Sequence, residues 1–334
     1  ANANIVEYTS RDGLPTTAIS NVAQTKDGYI WISGMEGTFR FNGYDFEEVG
    51  ADIDLPKMQD MHYDSVNDVL YFASPKKFII KRGNDFEIYT EKEGYKINGL
   101  AGQVISFVDR DSKGRVWIGS STPWVDRKFN GGLTKYENGE FTAYDSTDFP
   151  LDNVNYFIET PYGDLIFSSR GRNTRTQEGA YVALYKDDEF QKVDESMGID
   201  LQGALIFKKS RKEAIDKDGN TWIAFTGINT SATSFDKYGV LMYDGNKFHQ
   251  FDELQSMLGD NRIPIQVYYS KPQDKLFMTT SSWNEPEIFD GKNQGIYEYK
   301  NGQWTPSEIY EDIYPIVDLQ SGKMINDFKF AFSY

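Results

Sequence analysis

Arg170, Arg172 and Arg175 fall within six residues of one another in a chain whose formal net charge is −16. Guanidinium groups offer planar forks of donors that match carboxylate and sulfate oxygens, so this run suits an acidic ligand. Three further segments carry a related mixture. STPWVDRKFN holds Trp124, Asp126, Arg127 and Lys128; TGINTSATSFDKYG is rich in hydroxyls and contains Asn229; SSWNEPEIFDGKNQG holds Trp283, Asn284, Glu285 and Glu287. An indole face stacks on a pyranose ring, while amide, carboxylate and guanidinium groups reach the sugar hydroxyls. The chemistry expected of these segments is non-covalent recognition of an oligosaccharide or a small acidic molecule. The plain structural alternative is that they pack on one another or contact a partner, with Trp124 and Trp283 as plugs.

Other chemistries find little support. The chain has no Cys, which excludes thiolate metal sites, disulfides and Cys nucleophiles. Its two His residues, His62 and His249, lie far apart in sequence and lack metal-ligand spacing. DKDGN, at Asp216–Asn220, opens like a calcium loop, but its twelfth position is Gly227, where such a loop needs a bidentate Glu. A hairpin turn explains the motif better. DGNTW lacks the Ser and the spacing of a sialidase Asp-box. No nucleophile elbow marks a Ser-His-Asp enzyme. Neither a metal nor a cofactor is expected, and no residue is singled out as catalytic. Paired carboxylates of a polysaccharide lyase or glycosidase remain the enzymatic alternative, and a protein-interaction scaffold is a third reading.

The acidic balance disfavours nucleic acid and anionic membrane surfaces as partners. No window of eighteen apolar residues is present. Ala1–Tyr8 does not read as a secretory signal.

The four candidate segments interrupt a repeated unit. DGYIWISGMEGTFRFNGYDF (Asp27–Phe46) reads as a Gly turn, a Trp-bearing strand, a loop, a second strand, an Asn-Gly turn and a third strand. The same grammar returns at Lys113–Tyr144 and Asp218–Phe251, and more weakly at Val66–Tyr89, Tyr162–Val193 and Gln273–Ser307. The aligned Trp-type positions are Trp31, Tyr71, Trp117, Ile166, Trp222 and Phe277, spaced 40 to 56 residues apart. That period suits a four-stranded propeller blade. Short strands apolar on both faces agree, because each blade is packed between two others. Helix is expected only as a turn or two at Asp252–Leu258 and Ser307–Asp312.

The expected fold is all-β: one seven-bladed β-propeller domain over residues 1–334. Its blades are placed near 14–49, 56–90, 100–145, 153–194, 203–252, 263–309 and 315–334. The N-terminal strand, residues 4–9, completes the last blade, so that two open sheet edges pair. Six blades are the alternative. In such a fold the loops between second and third strands share a face with the blade-to-blade connections. Those loops are short in the first two blades and long in the next four, at Ser121–Gly131, Ser169–Gly179, Thr226–Tyr238 and Ser281–Gln294. Long loops on a rigid scaffold commonly carry function.

GLPTTAISNVAQTKDGYIWISGMEGTFRFNGYDFEEV (Gly13–Val49) resembles the two-component regulator propeller repeat. Matching positions include Gly13, Leu14, Pro15, Gly28, Trp31 and Gly43. The resemblance implies a periplasmic or extracellular sensor module that binds poly- or oligosaccharide cues, forms homodimers and passes a signal to a kinase. This chain departs from the pattern by holding one ring's worth of repeats and none of the downstream kinase parts.

Overall fold

The computed structural model describes residues 8–16, 19–34, 36–50, 53, 55, 60–74, 77–92, 96–97, 104–121, 132–144, 149, 154–169, 182–199, 204–205, 215–227, 238–251, 254, 258, 262–282 and 296–307. The chain forms two compact units. One is Ala1–Ser196 with Asp200–Gln202; the other is Met197–Ile199 with Gly203–Tyr334.

The first unit holds four antiparallel blades. Blade 1 is β1 (Ile19–Gln24), β2 (Ile30–Gly34), β3 (Thr38–Phe41) and β4 (Phe46–Glu48). Blade 2 is β5 (Asp60–Asp64), β6 (Val69–Ala73), β7 (Lys77–Arg82) and β8 (Asp85–Lys92), with a short fifth strand, β9 (Lys96–Ile97). Blade 3 is β10 (Val104–Arg110), β11 (Val116–Ser121), β12 (Gly132–Glu137) and β13 (Glu140–Tyr144). Blade 4 is β14 (Val154–Glu159), β15 (Leu165–Ser169), β16 (Val182–Lys186) and β17 (Glu189–Lys192).

The second unit holds two blades. Blade 5 is β18 (Ala204–Leu205), β19 (Thr221–Gly227), β20 (Tyr238–Tyr243) and β21 (Phe248–Phe251). Blade 6 is β22 (Arg262–Ser270), β23 (Lys275–Ser282), β24 (Ile296–Lys300) and β25 (Gln303–Pro306). Each blade follows chain order, as consecutive hairpins require, and this is the blade architecture of a β-propeller. Leu254 and Leu258, within the segment expected to turn helically, are helical and buried against blades 5 and 6. The expected seventh blade, 315–334, and residues 4–7 of its closing strand lie outside the described residues; the last two residues of that expected strand, Tyr8 and Thr9, are not in a strand, and Thr9 instead caps the 3-10 turn Ser10–Asp12.

Trp31, Tyr71, Trp117, Ile166, Trp222 and Phe277 each occupy the second strand of their blade and are buried. Clusters of apolar side chains join neighbouring blades. Trp31 packs with Leu70, Phe72 and Ile79 across blades 1 and 2. Tyr71 and Phe78 meet Val108 and Ile118 across blades 2 and 3. Trp117 meets Phe167 and Tyr185 across blades 3 and 4. In the second unit Trp222 joins Met278 and Trp304. Burying side chains of this size contributes roughly 2–3 kcal/mol each, so each blade is stabilised chiefly by its neighbours. Close approach is enforced at Gly119, where an added Cβ would lie 2.1 Å from the Phe107 ring and 2.5 Å from the Val154 carbonyl oxygen.

The hairpins between first and second strands share one backbone design in four blades. In Thr25–Tyr29, Asp111–Arg115, Thr160–Asp164 and Asp216–Asn220 the first N–H donates to the last carbonyl, and the fourth residue's N–H donates back to the first carbonyl. That fourth residue is Gly28, Gly114, Gly163 or Gly219, with φ from +82° to +91°, a left-handed conformation that glycine adopts without a Cβ penalty.

Side chains complete the turns unequally. Asp111 accepts hydrogen bonds from the Arg115 N–H (2.9 Å), Arg115 Nε (2.5 Å) and Trp117 Nε1 (2.8 Å). Asp216 likewise accepts from Trp222 Nε1 (2.8 Å), the Asn220 side chain (2.9 Å) and the Asp218 and Asn220 N–H groups. The calcium-like DKDGN segment is thus a hairpin turn with its first carboxylate engaged by the turn itself.

Candidate functional site

All ten residues put forward from sequence lie outside the described residues: Trp124, Asp126, Arg127, Arg170, Arg172, Arg175, Asn229, Trp283, Asn284 and Glu285. Described strands flank each of their segments. In the first unit, the 122–131 segment leaves β11 and re-enters at β12 above the rung Ser120↔Gly132. The 170–181 segment leaves β15 and re-enters at β16 above Ser168↔Val182. In the second unit, the 228–237 segment rises from Thr226↔Tyr238 and the 283–295 segment from the β23–β24 pair, last rung Thr279↔Ile296. Every one of these segments leaves its own sheet at the end opposite the turn between that sheet's first and second strands. We call this end the loop face of each unit. Blades 1 and 2 close the same position tightly, with Gly34 N–H donating to the Gly37 carbonyl (3.0 Å) and Ser74 N–H to that of Lys77 (2.9 Å).

The strand ends beneath the loops are lined with small buried hydroxyls. Ser33, Thr38, Ser74, Ser120, Thr134 and Ser168 are all buried. The innermost strands depart from regular pairing at this level. Their ladder shifts register between Ile19 and Asn21, between Ile105 and Phe107, between Val154 and Tyr156, and between Pro264 and Gln266. Such bulges bend a strand and re-aim its side chains, and they recur beside binding sites. At the blade 3 bulge the Ser106 hydroxyl donates to the Val154 carbonyl of blade 4. Blade 2 has no shift there; buried Asp60 instead accepts the Val108 N–H of blade 3 at 3.1 Å. With its amide correctly oriented, Asn21 of blade 1 donates to the other Asp60 oxygen at 2.9 Å. Asp60 thereby joins the inner strands of three consecutive blades.

Sequence reasoning did not find these pins. The available signal was a polar residue two or three places before the position paired with the Trp-type residue: Asn21, Asp60 and Ser106.

Nearer the turn face, His62 Nδ1 lies 2.6 Å from Asp109 Oδ1, with the imidazole stacked on Tyr71. Beside it Arg110 Nε lies 2.9 Å from Asp64 Oδ2, off the line needed for a hydrogen bond and so an ion pair only. Burial pushes the Asp64 carboxyl up, but the Asn67 side chain and the N–H groups of Asn67 and Val66 outweigh it and hold the pKa below the usual value. Both pairs link the inner strands of blades 2 and 3. A His–Asp pair can orient a general base, yet among the described residues no hydroxyl nucleophile is hydrogen-bonded to His62, and its place between two strands is that of an inter-blade contact. Among the described residues, no group of three or more His, Cys, Asp or Glu is placed to hold a metal ion. Their helices include none long and apolar enough to cross a membrane.

No family model matches the chain, and neither does any curated protein. Solved structures do. The extracellular domain of BT4673 from B. thetaiotaomicron, described as a one component system, aligns with a TM-score of 0.52 at 15% identity over 87% of this chain. A second structure of that domain, described as part of a hybrid two component system, gives 0.52 at 14% identity over 88%. This chain spans about a third of the length of each, 33% in both cases. Hydrazine synthase from Kuenenia stuttgartiensis aligns with a TM-score of 0.50 at 11% identity, covering 79% of this chain and 74% of that one. The fold is that of a β-propeller. Identities this low speak to the fold alone.

Proposed function

We propose that the chain is an extracytoplasmic ligand-binding propeller of a two-component signalling receptor, that residues 1–334 act as one sensor domain, and that its loop face recognises an oligosaccharide or small acidic molecule. The observation that carries this reading is the asymmetry between the two ends of the blades. Turns at one end repeat one closed backbone design in four blades, whereas long segments leave the other end of blades 3 to 6, and in the first unit the inner strands at that end are pinned by Asp60 and Ser106. Rigid strands under variable loops are the arrangement in which binding residues concentrate. The repeat in Gly13–Val49 and the fold shared with BT4673, whose structures are of an extracellular domain, support placement outside the cytoplasm.

Trp124 and Trp283 would stack on sugar rings, and Arg127, Arg170, Arg172 and Arg175 would meet carboxylates. Asp126, Asn229, Asn284 and Glu285 would take hydroxyls. A thermal-shift screen with neutral oligosaccharides and acidic sugars tests the proposal. A binding sugar raises the Tm, and Trp124→Ala, Arg172→Ala or Trp283→Ala abolishes the rise without lowering the unliganded Tm. A rise that all three variants retain removes the loop face from the account. Turnover of the bound sugar would make the protein a polysaccharide-active enzyme instead.

A further inference from the structure

Tyr8 belongs to no strand, yet its ring is seated against blade 1. It meets Phe41 edge-on at 5.0 Å between ring centres and Phe46 at 6.0 Å, and those two rings stack on each other at 4.5 Å. Phe41 and Phe46 face one another across the β3–β4 hairpin. Three other blades carry an aromatic pair at the corresponding rung: Tyr136↔Phe141, Tyr185↔Phe190 and Tyr299↔Trp304. Each of those pairs receives a ring from the outer strand of the blade before it. Tyr89 meets Phe141 at 5.0 Å, Tyr144 meets Phe190 at 5.1 Å and Phe251 meets Tyr299 at 5.7 Å, all edge-on. In blade 1 that part is taken by Tyr8.

The spacing along the chain agrees. Tyr8 lies 11 residues before Ile19, where the inner strand of blade 1 starts. Tyr144 lies 10 before Val154 and Phe251 lies 11 before Arg262. Val49 and Val193, in the same place after Phe46 and Phe190, lie 11 before Asp60 and Ala204. Only the connection that contains β9 is longer, with Tyr89 15 residues before Val104. Beyond Tyr8, Thr9 caps the turn Ser10–Asp12, and buried Thr16 donates to Glu36 at the loop face. Residues 8–16 therefore cross blade 1 as a connection between blades would.

The surface under Tyr8 is built to be covered. Trp31 points toward blade 2, so Ile32 points the other way, on the same side as its partner Phe39 and as Phe41. Ile32, Phe39 and Phe41 are each only 6% exposed.

From the seat of Tyr8 on Phe41 and Phe46, we propose that the face of blade 1 turned away from blade 2 is the docking surface for residues 1–7 of this chain, which lie there as the outer strand of a further blade. That segment is then a clasp on blade 1, held through Tyr8, and not a free tail. The proposal goes beyond the loop-face reading and stands or falls without it.

Hydrogen exchange on the full chain is the test. Amides of residues 4–7 should exchange about tenfold or more slowly than those of an unstructured peptide of the same sequence. Tyr8→Ala should remove that protection and lower the Tm by about 3 °C, a modest loss because the ring is 42% exposed. Tyr8→Phe should keep both, since the ring and not the hydroxyl makes the contact. Tyr44→Ala, at a ring of the same blade that is 88% exposed, should also change neither. Exchange of residues 4–7 at the unstructured rate in the parent chain overturns the inference. So does protection that survives Tyr8→Ala, or an equal loss of protection in Tyr44→Ala. Each of these outcomes leaves sugar binding at the loop face unaffected.

Discussion

Blades 1 and 3 meet the same packing problem with the same backbone and different side chains. Both turn from first to second strand through a five-residue hairpin with glycine at a positive φ, and both bury a Trp two residues later. In blade 3 the first turn residue is Asp111, whose carboxylate reaches Trp117 Nε1 and Arg115. In blade 1 it is Thr25, whose hydroxyl turns to Asp27 (2.5 Å) and the Tyr29 carbonyl, and Trp31 Nε1 is buried with no hydrogen-bond partner among the described residues. The repeat is therefore fixed at the level of backbone and ring burial. The polar layer over it is optional, and blade 1 tolerates an unmet donor because apolar contact with blade 2 outweighs one missing hydrogen bond.

Removing the polar layer where it exists should have the largest effect. Asp111→Ala leaves Arg115, which is 5% exposed, without its main counter-charge and strands Trp117 Nε1. A destabilisation of about 3 kcal/mol is expected in urea unfolding. Arg115 also lies over the Trp117 and Tyr185 rings, so the loss should loosen the contact between blades 3 and 4. A change below about 1 kcal/mol would make the turn carboxylate dispensable even where it is present.

Installing the layer where it is missing should have a smaller effect of opposite sign. Thr25→Asp gives Trp31 Nε1 the acceptor that Trp117 and Trp222 possess. A gain of about 1 kcal/mol in the same measurement is expected. A loss would show that the blade 1 turn differs in more than its first side chain.

The smallest effect concerns an outer turn. Asp244 accepts from His249 and from the Lys247 and Asn246 N–H groups, and these hydrogen bonds hold its pKa at about 2, below the ordinary 3.8. A depressed carboxyl stabilises the fold above its unfolded pKa and loses that contribution as pH falls. Asp244→Asn should therefore be slightly less stable than the parent chain at neutral pH. The two unfolding midpoints should converge as pH falls from about 4 to about 2. Parallel curves over that window would remove Asp244 from the acid response. The partly exposed site keeps the effect small.

Much of the fold was legible because it depends on features that repeat: glycine turns, aromatic second strands and the spacing between Trp31, Tyr71, Trp117, Ile166, Trp222 and Phe277. What escaped was whatever a single blade does alone. Asp60 reads as one more acidic residue until its bonds to the inner strands of blades 1 and 3 are seen. The β9 strand is two residues long and has no periodicity of its own. Arg115 looks like a solvated turn residue and is instead enclosed by two rings and two carboxylates. The proposed site was legible only as residue types between strands. Stacking and charge pairing can be read from composition, but which groups converge depends on loop conformations that no local pattern specifies.

The Ser106 and Asp60 bonds tie adjoining strands together at the end of the blades from which 122–131 and 170–181 leave. A change of length or sequence above that level meets a foundation that does not need it. The molecule should accept foreign peptides in place of residues 122–131 or 170–181 and still fold, which makes it a chassis for transplanting recognition sequences.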